Sequence, residues 1–212
     1  MPTDRPASPA PDAAAQLNGW WWVGALATSV PPARCCRARV RLIDMVDLSA
    51  FKDAMSQLAA AVAIVTTGSE SEPHGTTVSA FMSLSLNPPM VLVSLDGKSS
   101  LLALLAEGSS IGINVLSTEQ DVLARRFADK SVDRFAGVEW LMKDGAPQLA
   151  GDHTWVAGTV SRIIAAGDHF LVLVDVEAAE VNSNCPLLYW QREFGTHGTI
   201  KPGEVRTQPV EG

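Results

Sequence analysis

The sequence predicts a mainly β fold with short helices, an antiparallel barrel rather than a doubly wound sheet. Three observations carry this expectation. Apolar, β-branched runs of strand length recur along the chain, as in VAIVTTG, MVLVSL, SIGINVL and FLVLVDV. Turn-forming pairs such as Gly167-Asp168 join neighbouring runs as hairpins. The helical patterns are few and short, and no regular strand–helix alternation or internal repeat appears.

Taken in order, Asp47 can cap a helix whose Phe51, Met55 and Leu58 recur on one face. VAIVTTG (62–68) reads as a buried strand, and SESEPHG as a polar turn. GTTVSAFMSLS (75–85) reads as a second strand, in which Thr77, Ser79, Phe81 and Ser83 share a face opposite Thr76, Val78 and Ala80. Asn87-Pro88-Pro89 then breaks the chain before a third strand, MVLVSL (90–95).

Ser99 or Ser100 can cap a short helix over LLALLAE that ends at Gly108. SIGINVL (110–116) is a fourth strand. Ser117-Thr118-Glu119-Gln120 has the capping-box pattern and opens the helix STEQDVLARRFA. A short helical SVDRFAG is expected next, then long strands around 153–166 and 169–181 across the Gly167-Asp168 hairpin, with LLYW (187–190) closing the fold.

The chain has 212 residues, 47% of them hydrophobic, which suits one globular domain with a sizeable core. A net charge of −7 argues against a nucleic-acid binder or a protein of anionic membranes. No apolar run reaches the ~20 residues of a membrane span. Cys35, Cys36 and Cys185 make neither a disulfide framework nor a CxxC zinc motif, so a cytoplasmic, reducing compartment is expected.

Composition changes near residue 45. Residues 1–44 hold Trp20, Trp21 and Trp22, two of the cysteines and the low-complexity stretch PTDRPASPAPDAAA. The only base before WWWVGALATSV, Arg5, sits beside Asp4 and far upstream, which argues against a secretory leader. Residues 1–44 are therefore expected to be a disordered or mis-assigned extension with the native start at Met45, residues 45–196 the folded domain, and 197–212 a flexible tail.

No GxGxxG follows a strand, and the P-loop, HExxH and GxSxG patterns are absent. His74, His153, His169 and His197 lie too far apart for a local metal motif, and no metal is expected. What the chain does offer is a set of hydroxyls at strand ends. Thr77 and Ser79 beside the Lys98-Ser99-Ser100 helix start supply the O–H and N–H donors and the ammonium that a phosphate needs. Serines and threonines are also common on half-buried strands and at caps, so the hydroxyls alone leave both readings open. The same holds for His169, a turn histidine or a ligand-facing one. Arg125-Arg126 read as a polar helix face, and Trp140, His153 and Trp155 as packing or rim residues.

The order PHGTTVSAFMSLSLNPPMVLVSLDGKSS, GINVLSTEQDVLARRFA, GDHFLVLVDV and PLLYW, from about Leu48 to Phe194, resembles the flavin reductase-like family, and within it the reductase components of two-component flavin-dependent monooxygenases. The resemblance implies an FMN-binding split β-barrel, antiparallel and Greek-key-like, usually a homodimer. It implies an NAD(P)H-dependent reductase that transfers hydride to FMN or FAD, with NADH or NADPH as co-substrate, and supplies reduced flavin by diffusion to a separate oxygenase.

Position by position, the resemblance implies that Thr77, Val78, Ser79 and Ala80 run along the isoalloxazine and ribityl chain. Asp96, Lys98, Ser99 and Ser100 would surround the flavin phosphate, and Asn114 and Val115 would flank the flavin. His169 would face and orient the nicotinamide, and Tyr189 and Arg192 would border the nucleotide pocket. Some relatives carry Asn or Ser where this strand has Ala80, so one side-chain contact to the flavin is missing here. The chemistry suits the absence of a catalytic dyad, because a flavin brings its own reactivity and the protein chiefly positions two planar rings. Two alternatives remain beside the reductase: a flavin- or haem-binding module without turnover, and an oxidase that retains its flavin.

Overall fold

The computed structural model describes residues 47–198; the expectations for residues 1–44 and 199–212 lie outside them. Helix α1 (Leu48–Ser56) starts at Asp47, whose carboxylate accepts from the Ser49 N–H and hydroxyl at 3.2 and 2.6 Å. The strands are β1 (Ala60–Ala61), β2 (Ala63–Gly68), β3 (Pro73–Val78), β4 (Phe81–Leu86), β5 (Pro89–Asp96), β6 (Ser110–Val115), β7 (Trp140–Lys143), β8 (Ala146–Leu149), β9 (Thr154–Ala166), β10 (His169–Val181), β11 (Leu187–Trp190) and β12 (Glu193–Thr196). Helix α2 (Asp121–Ala128) follows β6.

Seven strands form one antiparallel sheet in the order β3-β2-β6-β9-β10-β5-β4. Its two margins, β3 and β4, are consecutive in the chain and are joined through Ser79 and Ala80 alone. Strands about 4.8 Å apart would hold the margins of a flat seven-stranded sheet roughly 29 Å from each other. The link from Val78 to Phe81 reaches at most about 11 Å. The sheet must therefore curl on itself; the Ala80 carbonyl, accepting from the Ser94 N–H at 2.8 Å, continues the β4–β5 ladder into the link. The fold is the antiparallel barrel that the strand pattern predicts.

Val62 to Thr67 are all buried because this segment has two interiors to fill. Ala63 and Val65 face the barrel core with Val93, Leu95, Ile111, Ile113, Val160, Val172 and Val174. Val62 and Ile64 face outward into a second cluster with Ala124 and Phe127 of α2, Leu149 and Leu187. Gly75 allows the close approach of α2, since a Cβ there would lie 2.8 Å from Phe127 Cε1. The capping box is present as read, with the Ser117 N–H donating to Gln120 Oε1 at 2.9 Å. A 3-10 turn at Thr118–Gln120 precedes α2 proper.

Three local expectations are corrected. GTTVSAFMSLS is two strands rather than one, and the break at Ser79–Ala80 ends the alternation: Val78 packs in the barrel core and Phe81 packs against it as well. LLALLAE forms one 3-10 turn, Leu102–Leu104, without a side-chain cap, because Leu101 and Leu105 are both drawn into the barrel end. SVDRFAG makes no helix. Asp129 accepts from the Ser131 N–H and hydroxyl, and Asp133 from the Phe135 N–H, so side chains compete for the backbone groups a helix would use. The hairpins β7–β8 and β11–β12 were not anticipated as pairs.

Candidate functional site

A cleft of about 310 Å³ opens at the seam. One wall is the Thr76–Ala80 stretch; the other carries Ser94, Leu95, Asp96, Ser99 and Ser100, with His169 at the rim and Ala128, Lys130 and Arg134 closing one end. Eight of the residues singled out from the sequence, Thr77, Val78, Ser79, Ala80, Asp96, Ser99, Ser100 and His169, thus meet around one cavity.

Local bonding explains their positions. Asp96 Oδ1 accepts from the Lys98 N–H at 2.7 Å and the Asp96 carbonyl from the Ser99 N–H at 2.8 Å, which turns the chain sharply after β5. The Gly97 N–H donates to the Asp168 carbonyl at 2.9 Å, tying this turn to the β9–β10 hairpin. Gly167, at φ +67°, supplies the left-handed residue that hairpin needs. His169 therefore pairs with Asp96 across β10 and β5 and sits at the cleft mouth.

His169 Nδ1 lies 2.8 Å from Asp168 Oδ1. This hydrogen bond, followed by the charge of the imidazole, holds the Asp168 carboxyl below its usual range. With Nδ1 engaged as donor, Nε2 is left for a visitor: an acceptor on the neutral ring, a donor on the protonated one. The Thr77 hydroxyl donates to the Ala124 carbonyl at 2.7 Å, anchoring the Thr77–Ser79 segment, a strap along the cleft, to α2. Arg134 is fixed by donating to the Gly75 and Asp129 carbonyls at 2.6 and 2.8 Å, with burial drawing its pKa down against the pull of Asp129.

Lys98 lines a second cavity, described below, rather than the seam cleft. Tyr189 and Arg192 line a third cavity, about 310 Å³, on the other side of the strap, which shares Thr77, Val78, Ser79 and Ala128 with the seam cleft. Asn114 and Val115 lie apart from all three. Asn114 is fully buried, its Nδ2 donating to the Ile64 and Pro147 carbonyls and its Oδ1 accepting from the Leu149 N–H at 2.7 Å. Its amide is spent holding β8 to the barrel wall. Val115 pairs with Ala63 and Thr154 and packs against the barrel core.

Lys130 and Arg134 are lining residues that the sequence reading did not single out. Their signal was present as bases alternating with turn formers in DKSVDR, a loop directly after a helix.

A barrel split at its seam by a cleft of hydroxyls, backbone donors and two cations over apolar Val78, Leu95 and Ala128 is a receptacle for a flat ring bearing an anionic tail. Residues 55–198 match the model of the flavin reductase like domain, and the chain belongs to that family. It is 34% identical over 158 residues to an NADH:riboflavin 5'-phosphate oxidoreductase of Streptomyces pristinaespiralis, covering 72% of this chain and 89% of that one. Over 154 residues it is 31% identical to the reductase component of a 4-nitrophenol 4-monooxygenase/4-nitrocatechol 2-monooxygenase of Rhodococcus opacus, covering 73% and 83%. Among solved structures, it superposes with a TM-score of 0.67 and 30% identity on the NADH:FAD oxidoreductase of Streptomyces globisporus in complex with NAD and FAD fragments, covering 76% and 98%.

Proposed function

We propose that the protein is an NAD(P)H-dependent flavin reductase that passes reduced flavin to a separate monooxygenase. The observation that carries this reading is the seam itself: one cleft gathers apolar surface, hydroxyls and two cations with His169 at its mouth, so a flat ring with an anionic tail can be held there with one face open to a donor. The residues fit a flavin. Val78, Leu95 and Ala128 offer apolar surface, Ser79, Ser99 and Ser100 offer hydroxyls, and Lys130 and Arg134 offer charge for a phosphate.

A bound flavin supplies the two-electron acceptor for the hydride of a reduced nicotinamide. The chain's own residues bind and orient. Ser99 and Ser100 with Lys130 and Arg134 hold the anionic tail. His169, steered by Asp168, offers Nε2 to the nicotinamide carboxamide. Tyr189 and Arg192 border the far side of the strap, where the donor's remaining length is held. No side chain need carry a proton in the hydride step, so positioning dominates the rate.

A homodimer belongs to the same reading. Phe51 and Met55 on α1 and Met82 and Leu84 on β4 are 41–58% exposed in the single chain, apolar surface that a second copy would cover. Sedimentation of the protein and of Met82→Glu tests this, a monomeric mass for both being the contrary outcome. The activity is tested by mixing the protein with NADH or NADPH and excess FMN or FAD. Many equivalents of nicotinamide consumed per chain are expected; one equivalent and a halt would overturn the reading.

A further inference from the structure

A second cavity of about 380 Å³ opens from the phosphate end of the seam cleft and shares Ser100, Lys130 and Arg134 with it. To these it adds Lys98, His74 and Asp133 and the apolar side chains of Leu101, Val132 and Phe135. Leu101 and Phe135 are buried at 1% and 9% exposure, while Val132 is 45% exposed. The two cavities therefore meet at a cationic neck, Lys130 and Arg134, and each has a lining of mixed polar and apolar residues.

One phosphate satisfies the neck from the seam side through Ser99, Ser100, Lys130 and Arg134. It leaves Lys98 facing the second basin with no carboxylate in ion-pair range among the described residues. A second phosphate followed by a planar base matches what lies beyond: an ammonium for the anion, then an imidazole and apolar walls for a heteroaromatic ring. We propose, building on the reading of the seam cleft as the flavin site, that the preferred flavin is the dinucleotide, its adenylate half seated in the second cavity and its distal phosphate on Lys98. The relatives' names divide between riboflavin 5'-phosphate and FAD and do not decide the matter.

The test is equilibrium titration of the full chain with FAD, FMN and riboflavin, with NADH turnover followed for each. FAD is expected to bind at least about tenfold tighter than FMN, a difference of ~1.4 kcal/mol. Val132→Trp fills the second cavity alone and should erase that margin while the protein still binds FMN. Lys98→Gln should lower the FAD-to-FMN ratio by about fivefold to tenfold, in the range of one charge-assisted contact. Equal affinities in the unmodified protein, or a margin that survives both substitutions, would overturn the inference and leave the reductase reading standing. Absence of binding by any of the three flavins would overturn both.

Discussion

The wall of the barrel and its seam are built on opposite terms. In the wall, β2, β6 and β9 leave no buried polar side chain without a partner: Asn114 spends its whole amide on three backbone groups, and the Thr66 hydroxyl donates to the Pro147 carbonyl at 2.6 Å. At the seam, Ser79, Ser100 and Lys130 are exposed, and the backbone is irregular between the elements that carry them. A polar group satisfied by the protein has nothing left for a ligand. The contrast separates the part of the fold that holds shape from the part that can recognise.

The sharpest way to break this contrast is Asn114→Ala. It should cost about 3 kcal/mol, because the buried Leu149 N–H and two carbonyls lose their partner. Urea unfolding at constant m-value measures it, and a loss below about 1 kcal/mol would mean the amide is not structural. Gly75→Ala comes next, at ~1–3 kcal/mol from the overlap with Phe127. It also links the two regions, since the Gly75 carbonyl holds Arg134, and flavin affinity should fall with stability.

His169→Ala reverses the pattern. Stability should change by less than ~0.5 kcal/mol. KM for the nicotinamide donor should rise about tenfold, the worth of one good hydrogen bond at ~1.4 kcal/mol. Flavin affinity should stay nearly constant, and equal losses in both would remove the orienting role.

A smaller effect comes from Asp152, buried at 2% exposure and bound by Asn182 and Gln148. Burial raises its pKa above the ordinary 3.8, against the hydrogen bonds that lower it. Because the folded value is the higher one, the contribution to stability is complete below pH 3.8 and is lost as pH rises through the folded value. Asp152→Asn should flatten that segment of the stability–pH curve, which thermal melts in acid buffers would record. Least of all, Asp53→Ala removes the exposed pair with Arg192, 2.6 Å apart, and should cost no more than ~0.5 kcal/mol.

Much of the wall was legible in the sequence because period and turn chemistry report it directly. FLVLVDV, MVLVSL and SIGINVL lie in strands at their expected places, and Gly167-Asp168 is the hairpin turn. The seam was legible as residue types but not as geometry. Ser79–Ala80 carries no Gly or Pro, so nothing local announces the break; it arises from closing the sheet, a constraint that sums over seven strands. The β7–β8 turn did carry a signal, Asp144-Gly145, with both residues at positive φ. Asn114 illustrates the opposite limit, since whether an amide meets a ligand or the core depends on β8, 32 residues or more further along the chain.

The direct link between β3 and β4 has a mechanical consequence. A barrel fastened by the polypeptide itself, instead of by a last row of amide hydrogen bonds, keeps its circumference when the gap is wedged wider. Guests of different thickness can come and go there without any strand losing its neighbours, which suits a carrier that must let go of its product at every cycle.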